Sequence, residues 1–172
     1  MKKILLLLTI CLSTIVYGQE EDLKAAAIRD AKHVTASYLK ENVKELIAYT
    51  HPDVIKALGG KDAVARMLKE TFENAKATNI VVVKNATGDL LDFKKENGEY
   101  RCLIEKTTIT EVPGRNKRII QNTTMFGFYN SKLKHWQFID GSKLVDGMHK
   151  NYFEDFKTTI DIPKMEMSVE DM

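Results

Sequence analysis

Cysteine is scarce in this sequence, and its scarcity excludes two common ways of stabilising a small domain. Cys11 and Cys102 are the only cysteines in 172 residues, and Cys11 lies in the N-terminal apolar run. The single remaining thiol cannot form an intramolecular disulfide or supply the ligands of a structural zinc site. Cys102 alternates with Tyr100 and Ile104, which favours a buried strand thiol over a reactive nucleophile.

The sequence also lacks an excess of positive or negative charge, and it has no long apolar run. The chain has 26 Lys and Arg against 24 Asp and Glu, and two of the basic residues, Lys2 and Lys3, lie in the N-terminal segment. The rest of the chain therefore carries 24 charges of each sign. It shows no basic stripe of the kind that binds nucleic acid. No stretch reaches the roughly 20 apolar residues that a membrane-spanning helix needs.

The motifs of common enzyme classes are missing as well. There is no Gly-x-Ser-x-Gly elbow, no phosphate loop and no dinucleotide fingerprint. The four histidines are His33, His51, His135 and His149. None of them stands at ligand spacing from another His or Cys, so we expect neither a metal nor a cofactor.

An export signal is the clearest feature that the sequence does contain. The positive start is followed by apolar residues 4–12, and Val16-Tyr17-Gly18 places small or modest residues at the −3 and −1 positions. These three parts predict a signal peptide over residues 1–18 and a periplasmic or secreted protein that begins at Gln19. Cys11, preceded by Ile10, leaves a second interpretation open, a lipoprotein cleavage box, although this cysteine lies inside the apolar run.

The periodicity of apolar residues divides the rest of the chain into two halves. It is helical from Glu21 to Ala77 and strand-like from Asn79 to Asp140. Within the first half, a phase shift at Glu41-Asn42 predicts a bend, Pro52-Asp53 predicts a helix start, and Gly59-Gly60 predicts its end. Helices followed by strands predict an α+β fold, with N-terminal helices packed on a curved antiparallel meander sheet.

The second half is predicted to contain short strands first and long strands afterwards. The expected strands are Ile80–Val83, Asp89–Phe93, Tyr100–Val112, Ile119–Tyr129 and His135–Asp140. Polar residues at Asn85–Gly88 predict a turn between the first two, and Asn97-Gly98 predicts a tight hairpin. A short helix is expected around Val145–Phe156. One domain would then span residues 19–164, with a disordered tail over residues 165–172.

Three parts of this pattern resemble the nuclear transport factor 2-like superfamily, also called the cystatin-like cone fold. They are Ala48–Val54 with the following Gly59–Asp62, the long meander, and Trp136–Gly141 with the later Ile160–Pro163. The likeness covers nearly all of residues 21–164 and is greatest to small exported members from Bacteroidetes-type bacteria. It implies a curved sheet around a long helix, with a conical cavity open at one end.

The same superfamily includes isomerases, dehydratases, cyclases and epoxide hydrolases as well as non-catalytic binders, so the likeness implies a fold without a function. Tyr38 is a loose counterpart of the isomerase-type oxyanion tyrosine, and Asp140 of the isomerase-type strand acid. Neither match rests on a shared local motif, and no catalytic role is carried over.

A pocket is expected between the long helix and the concave face of the sheet, because helical and strand alternation point several aromatic residues there. The predicted lining is Tyr38, Phe72, Phe126, Trp136, Phe138 and Asp140. In such a place desolvation would raise the pKa of Asp140. The alternative is a strand-end carboxylate that hydrogen-bonds into the Gly141-Ser142 turn.

Two functions from different classes are compatible with these features. The first is an exported binding or interaction module that holds a small apolar ligand or a partner segment. The second is a small isomerase, dehydratase or hydrolase that uses Asp140 with His51 or Tyr38, although the position of His51 before Pro52 favours a helix-start residue. The lack of a triad, a metal set or paired carboxylates favours the first. Apolar residues on both faces of the Tyr100–Thr110 strand further predict a homodimer.

Overall fold

The fold is that of a computed structural model, which describes the backbone of residues 2–172 and the side chains from Glu20 onward. The predicted signal peptide, including Cys11, lies outside the residues whose side chains are described. N-terminal helices pack against a five-stranded antiparallel sheet. The predicted α+β class, with helices first and a meander second, is therefore confirmed.

Four helices make up the N-terminal half, and local signals set their limits. They are α1 (Lys2–Leu39), α2 (Val43–Ala48), α3 (Pro52–Ala57) and α4 (Lys61–Ala77). Between α1 and α2, Glu41 takes a positive φ of 53°, and the Asn42 side chain accepts a hydrogen bond from the Glu45 backbone N–H. Between α3 and α4, Gly60 has a φ of 92°, a backbone angle that glycine adopts without a Cβ clash.

The first four strands of the sheet form a meander in which strands adjacent in sequence are adjacent in space. The strands are β1 (Val81–Glu96), β2 (Glu99–Val112), β3 (Lys117–Asn130), β4 (His135–Asp140) and β5 (Glu166–Asp171). Strands β1 to β4 pair in that order, and β5 pairs with the part of β3 that β4 leaves free. Asn97 and Gly98 join β1 to β2, both with positive φ, as this hairpin dipeptide requires.

The two short strands predicted before this hairpin are one strand, β1. Residues Asn85–Gly88, which were expected to turn the chain, remain within it. The register between β1 and β2 shifts between Thr87 and Leu90 and again between Leu90 and Asp92. The prediction of a turn was wrong because bulges in a continuing strand accommodate these residues.

Both faces of the sheet are covered, each by a different part of the chain. The helix face packs against α1, and its core contains Ala27, Ala31, Cys102, Ile104, Met125, Trp136 and Phe138. The opposite face, named the strap face, is covered by residues 141–163, named the strap. Its core contains Leu103, Phe126, Phe128, Ile139, Leu144 and Ile160. Cys102 is wholly buried, and burial raises the pKa of its thiol.

A buried carboxylate fixes α1 to the outer edge of β4. The Asp30 side chain is 3% exposed and accepts a hydrogen bond from the Trp136 backbone N–H at 2.9 Å. Arg29 also donates to Asp30, and the Trp136 indole N–H donates to the Leu23 carbonyl at 3.0 Å. These bonds satisfy polar groups that would otherwise be buried unpaired, and they hold α1 across the helix face.

The strap contains short 3-10 turns instead of the helix predicted around Val145–Phe156. The turns are Gly141–Lys143 and Met148–Asn151. The helix prediction was wrong: the strap runs across the sheet in short turns, and its aromatic side chains pack on the strap face without forming one helical stripe. Phe153 and Phe156 both contact Phe128, with ring centroids 5.7 and 6.3 Å apart.

Glu96, at the end of β1, anchors the strap to the sheet. Its carboxylate accepts hydrogen bonds from the Thr158 hydroxyl and from the Thr159 hydroxyl and backbone N–H. Arg101 donates to it at 3.1 Å and also donates to the Lys157 carbonyl. Burial raises the Glu96 pKa, but these hydrogen bonds and the Arg101 charge outweigh burial and lower the pKa to about 2.

The last residues form strand β5 instead of the predicted disordered tail. Glu166–Asp171 pairs with Lys117–Asn122 of β3, and Lys117 donates to the Asp171 carboxylate at 2.6 Å. All six side chains of β5 are exposed, but Met165, Met167 and Val169 alternate with polar residues, a strand pattern that the prediction of a tail overlooked. Backbone pairing with the open edge of β3 forms it.

Candidate functional site

A cavity of about 450 Å³ lies between the helices and the helix face, beside β4. Its wall is mainly apolar and includes Val34, Leu46, Met125 and Phe138. At the edge of β4 it also reaches Val54 and Ile139, which belong to the core of the strap face. Its polar lining includes Thr35, Tyr38, Tyr49, Asn85, Lys106 and Asp140. A concave space of this volume, largely apolar with a few polar groups, has the usual make-up of a small-molecule site.

Three of the six predicted lining residues lie on this cavity. Tyr38 comes from α1, and Phe138 and Asp140 come from β4. Trp136 shares their face of β4 but is completely buried in the core against α1, behind the cavity wall. Burial raises the pKa of the Tyr38 phenol, which therefore stays neutral near pH 7.

Phe126 and Phe72 do not belong to the cavity wall. Phe126 lies on the strap face, where its ring meets Phe156 with a centroid distance of 5.5 Å. Phe72 packs edge-to-face on Tyr38 at 5.3 Å and lines a separate cleft between α1 and α4. Their placement on the pocket was wrong because alternation assigns faces within one strand or helix and does not relate one element to the next.

An ion pair supplies the charged part of the cavity. Lys106 on β2 and Asp140 on β4 lie on either side of β3, and the Lys106 Nζ is 3.2 Å from the Asp140 Oδ2. The hydroxyl of Thr123, on β3, donates to the Asp140 Oδ1 at 3.1 Å. The backbone N–H and hydroxyl of Ser142 donate to the same oxygen at 3.0 and 2.7 Å.

These contacts keep Asp140 ionised. Burial raises the Asp140 pKa, but the Lys106 charge and the Ser142 hydrogen bonds outweigh burial, so the pKa falls below its ordinary value. The raised pKa expected from desolvation is therefore wrong. Asp140 hydrogen-bonds into the Gly141-Ser142 turn, as the alternative prediction of a strand-end carboxylate required. It also lines the cavity.

The buried polar groups of the cavity are satisfied by the protein itself. Asn85, 9% exposed, donates to the Thr35 carbonyl and accepts from the Thr108 hydroxyl, both at 3.3 Å. Lys106 differs from them, because among the described residues its ammonium has one hydrogen-bond acceptor, Asp140. Two of its three N–H groups are therefore left for water or a ligand.

His51 lies away from this cavity and does not meet Asp140. It begins α3, where its Nδ1 accepts a hydrogen bond from the Asp53 backbone N–H at 3.2 Å, and its ring packs on Phe128 at 4.4 Å. Burial lowers the His51 pKa, Asp53 opposes this decrease and Arg101 adds to it. This is the helix-start arrangement, so the structure does not form the pair of His51 and Asp140 that one enzyme hypothesis needs.

A second cavity, of about 770 Å³, lies on the strap face and is lined by His51, Arg101 and strap residues 150–156. The Arg101 guanidinium lies over the rings of Phe128 and Phe156, 5.5 and 5.7 Å from their centroids. The guanidinium also forms ion pairs with Glu96 and Glu99, with N–O distances of 3.1 and 3.3 Å. Its charge is therefore already used in holding the strap.

The sequence contained a signal for Lys106 that was not used. Lys106 follows Cys102 and Ile104 at alternating positions, which places it on their face of β2. Its pairing with Asp140 could not be predicted, because the Pro113–Asn116 connection is longer than a two-residue turn and leaves the register of β2 and β3 open. Asn85 was missed because it was assigned to a turn.

Comparison with known protein families, curated proteins and solved structures finds no match to this chain. Within residues 20–172, no group of three or more His, Cys, Asp or Glu side chains is arranged to hold a metal ion. The same part of the chain contains no helix with the length and apolar character to cross a membrane. The class that the structure defines is an α+β domain with N-terminal helices on an antiparallel meander and a cavity at its helix face.

Proposed function

We propose that this protein is an exported binding module of the nuclear transport factor 2-like type, and that it holds a small, mostly apolar molecule in the helix-face cavity. The observation that carries the proposal is the cavity itself, about 450 Å³ with an apolar wall and few polar groups. The order of the elements, helices followed by a meander packed on α1, agrees with what the sequence resemblance implies.

The chemistry of the cavity favours binding over catalysis. Asp140, the acid of the enzyme hypothesis, has a lowered pKa and so holds no proton to donate near neutral pH. His51 lines the other cavity. Tyr38 does share the helix-face cavity, and its neutral phenol is a hydrogen-bond donor. An isomerase or dehydratase in which Tyr38 polarises a carbonyl is therefore the second candidate.

Export is proposed on the sequence alone. The charged start, the apolar run and the small residue at Gly18 support cleavage before Gln19. Mass analysis of the N-terminus of the native protein distinguishes this start from one at a lipid-modified Cys11, which would place the protein on a membrane surface.

The homodimer expected from the sequence stays a prediction. One of its grounds, an uncovered apolar face of the Tyr100–Thr110 strand, does not hold. Leu103 and Phe126 on the strap face are already covered by the strap. At the other end of the sheet, β5 leaves Met167 and Val169 exposed, where a second copy could cover them. Light scattering at micromolar concentration would show a dimer if this is so, and a monomer would contradict it.

N-phenyl-1-naphthylamine, a neutral apolar dye whose fluorescence rises when it leaves water, tests the proposed function. We expect saturable binding of one dye per chain. Val34→Trp adds a large side chain to the cavity from α1, and Leu58→Trp adds one at the exposed rim of the cavity. Both variants should remove binding.

Val83→Trp is the matched control, because it adds the same side chain at an exposed position on β1 and should leave dye binding unchanged. The absence of saturable binding to the native protein, or equal binding by all three variants, would overturn the proposal.

A further inference from the structure

We infer that the ligand of the helix-face cavity is an apolar molecule with one anionic group, such as a carboxylate, and that Lys106 binds this group. The inference rests on the proposed function and adds the chemical class of the ligand. The apolar part would contact the wall formed by Met125 and Phe138, and the anionic group would lie at the Lys106 ammonium.

The charges around the cavity favour an anion. Its charged lining consists of Lys106, Lys143 and Asp140, two cations and one anion around a mainly apolar space. An anionic group that enters would balance the second cation, whereas a cationic group would add to the excess. Because the ion pair is largely shielded from water, with Lys106 22% and Asp140 33% exposed, this difference is greater than on an open surface.

The hydrogen bonds of the ion pair leave Lys106 available. Asp140 accepts four hydrogen bonds, and three of them come from Thr123 and Ser142. All three go to Oδ1, and among the described residues Lys106 is the one donor to Oδ2, so the ammonium keeps its bond to Asp140 while it binds a ligand. The ammonium has two further N–H groups, and a hydrogen bond between two charged groups is stronger than one between neutral groups.

The other polar groups of the cavity do not compete for this role. The Asn85 amide donates to the Thr35 carbonyl and accepts from the Thr108 hydroxyl, and the Thr35 hydroxyl donates to the Lys32 carbonyl. Lys143 is exposed and can add attraction without a fixed position. The neutral phenols of Tyr38 and Tyr49 can also donate to a ligand, but Lys106 is the half-buried cation of the lining and therefore the group that favours an anion.

Decanoate and 1-decanol test this inference, because they share an apolar chain and differ in the charge of the end group. Each would be used at neutral pH to displace N-phenyl-1-naphthylamine from the full protein. We expect decanoate to bind about tenfold more tightly than decanol or better, which corresponds to about 1.4 kcal/mol. Lys106→Met should remove this preference.

Two further variants make the test specific. Asp140→Asn removes the competing negative charge while its amide oxygen can still accept from Ser142, so it should strengthen decanoate binding. Lys117→Met is the matched control, because it removes a lysine that pairs with an aspartate, Asp171, outside the cavity. It should leave both affinities unchanged.

Equal displacement by decanoate and decanol, unaltered in Lys106→Met, would overturn the inference and leave the proposed function standing. Failure of the dye to bind the native protein would overturn the proposed function instead. If near-ultraviolet circular dichroism shows that Lys106→Met does not fold, Asp140→Asn decides the matter. Stronger decanoate binding then supports the inference, and unchanged or weaker binding contradicts it.

Discussion

Replacing Glu96 with glutamine should loosen the strap from the sheet. The carboxylate accepts three hydrogen bonds from Thr158 and Thr159 and one from Arg101. Glutamine keeps the shape of the side chain but removes its charge, and it exchanges one acceptor oxygen for an NH₂ donor that faces other donors.

The lowered pKa sets the expected magnitude. A decrease from the usual 4.5 to about 2 corresponds to about 3 kcal/mol, since each tenfold change in proton affinity is worth about 1.4 kcal/mol. The Glu96 side chain is 12% exposed, and glutamine keeps one acceptor oxygen for the Thr158 and Thr159 donors, so we expect about 1–2 kcal/mol. Because folding lowers this pKa, the stabilisation is present above pH 4.5 and is lost as the pH falls toward 2.

Urea unfolding at pH 7 and pH 3 measures this effect. Glu96→Gln should lower the free energy of unfolding by about 1–2 kcal/mol at pH 7, and by less at pH 3. Glu99→Gln is the matched control, because Glu99 pairs with Arg101 at 3.3 Å and is more exposed; its cost should be about 0.5 kcal/mol or less. A deficit that is equal at both pH values, or no larger than that of the control, would refute the reasoning.

Three other substitutions or reactions test the packing. Asp30→Ala leaves the Trp136 backbone N–H without its acceptor, and thermal unfolding should show a loss of about 1–3 kcal/mol; an unchanged melting temperature would contradict this. Gly127→Ala would place a Cβ 2.5 Å from the Cys102 sulfur and should destabilise the protein by about 1–3 kcal/mol, whereas Gly114→Ala, with open space around it, should be neutral. Burial raises the Cys102 pKa, so Ellman's reagent should label this thiol in denaturant, and labelling of the folded protein at the same rate would show that it is accessible.

Local signals in the sequence predicted the helix limits and the tight hairpin of the fold. Glycine and proline positions gave the helix limits around α3, and Asn97-Gly98 gave the hairpin between β1 and β2. Each of these depends on the backbone preference of one or two residues, which the sequence states directly. The order of helices and strands then fixed the α+β class.

The candidate site was harder to predict because it depends on relations between elements. The faces of Phe138 and Phe126 follow from the register of β3 against β4, in which Phe138 pairs with Gly127. The lowered Asp140 pKa depends on Lys106, which lies 34 residues earlier and two strands away. Strand β5 pairs with the open backbone edge of β3 and buries none of its own side chains.

The most direct test of the account is where a bound apolar anion lies. Methyl-labelled methionine gives one nuclear magnetic resonance signal from Met125 in the cavity wall, one from Met67 at its rim, and others from exposed positions such as Met167 on β5. Titration with decanoate should shift the Met125 and Met67 signals together and saturably, while the Met167 signal stays fixed. Shifts confined to Met167 and its neighbours, or no saturable shift of Met125, would contradict a ligand in the helix-face cavity.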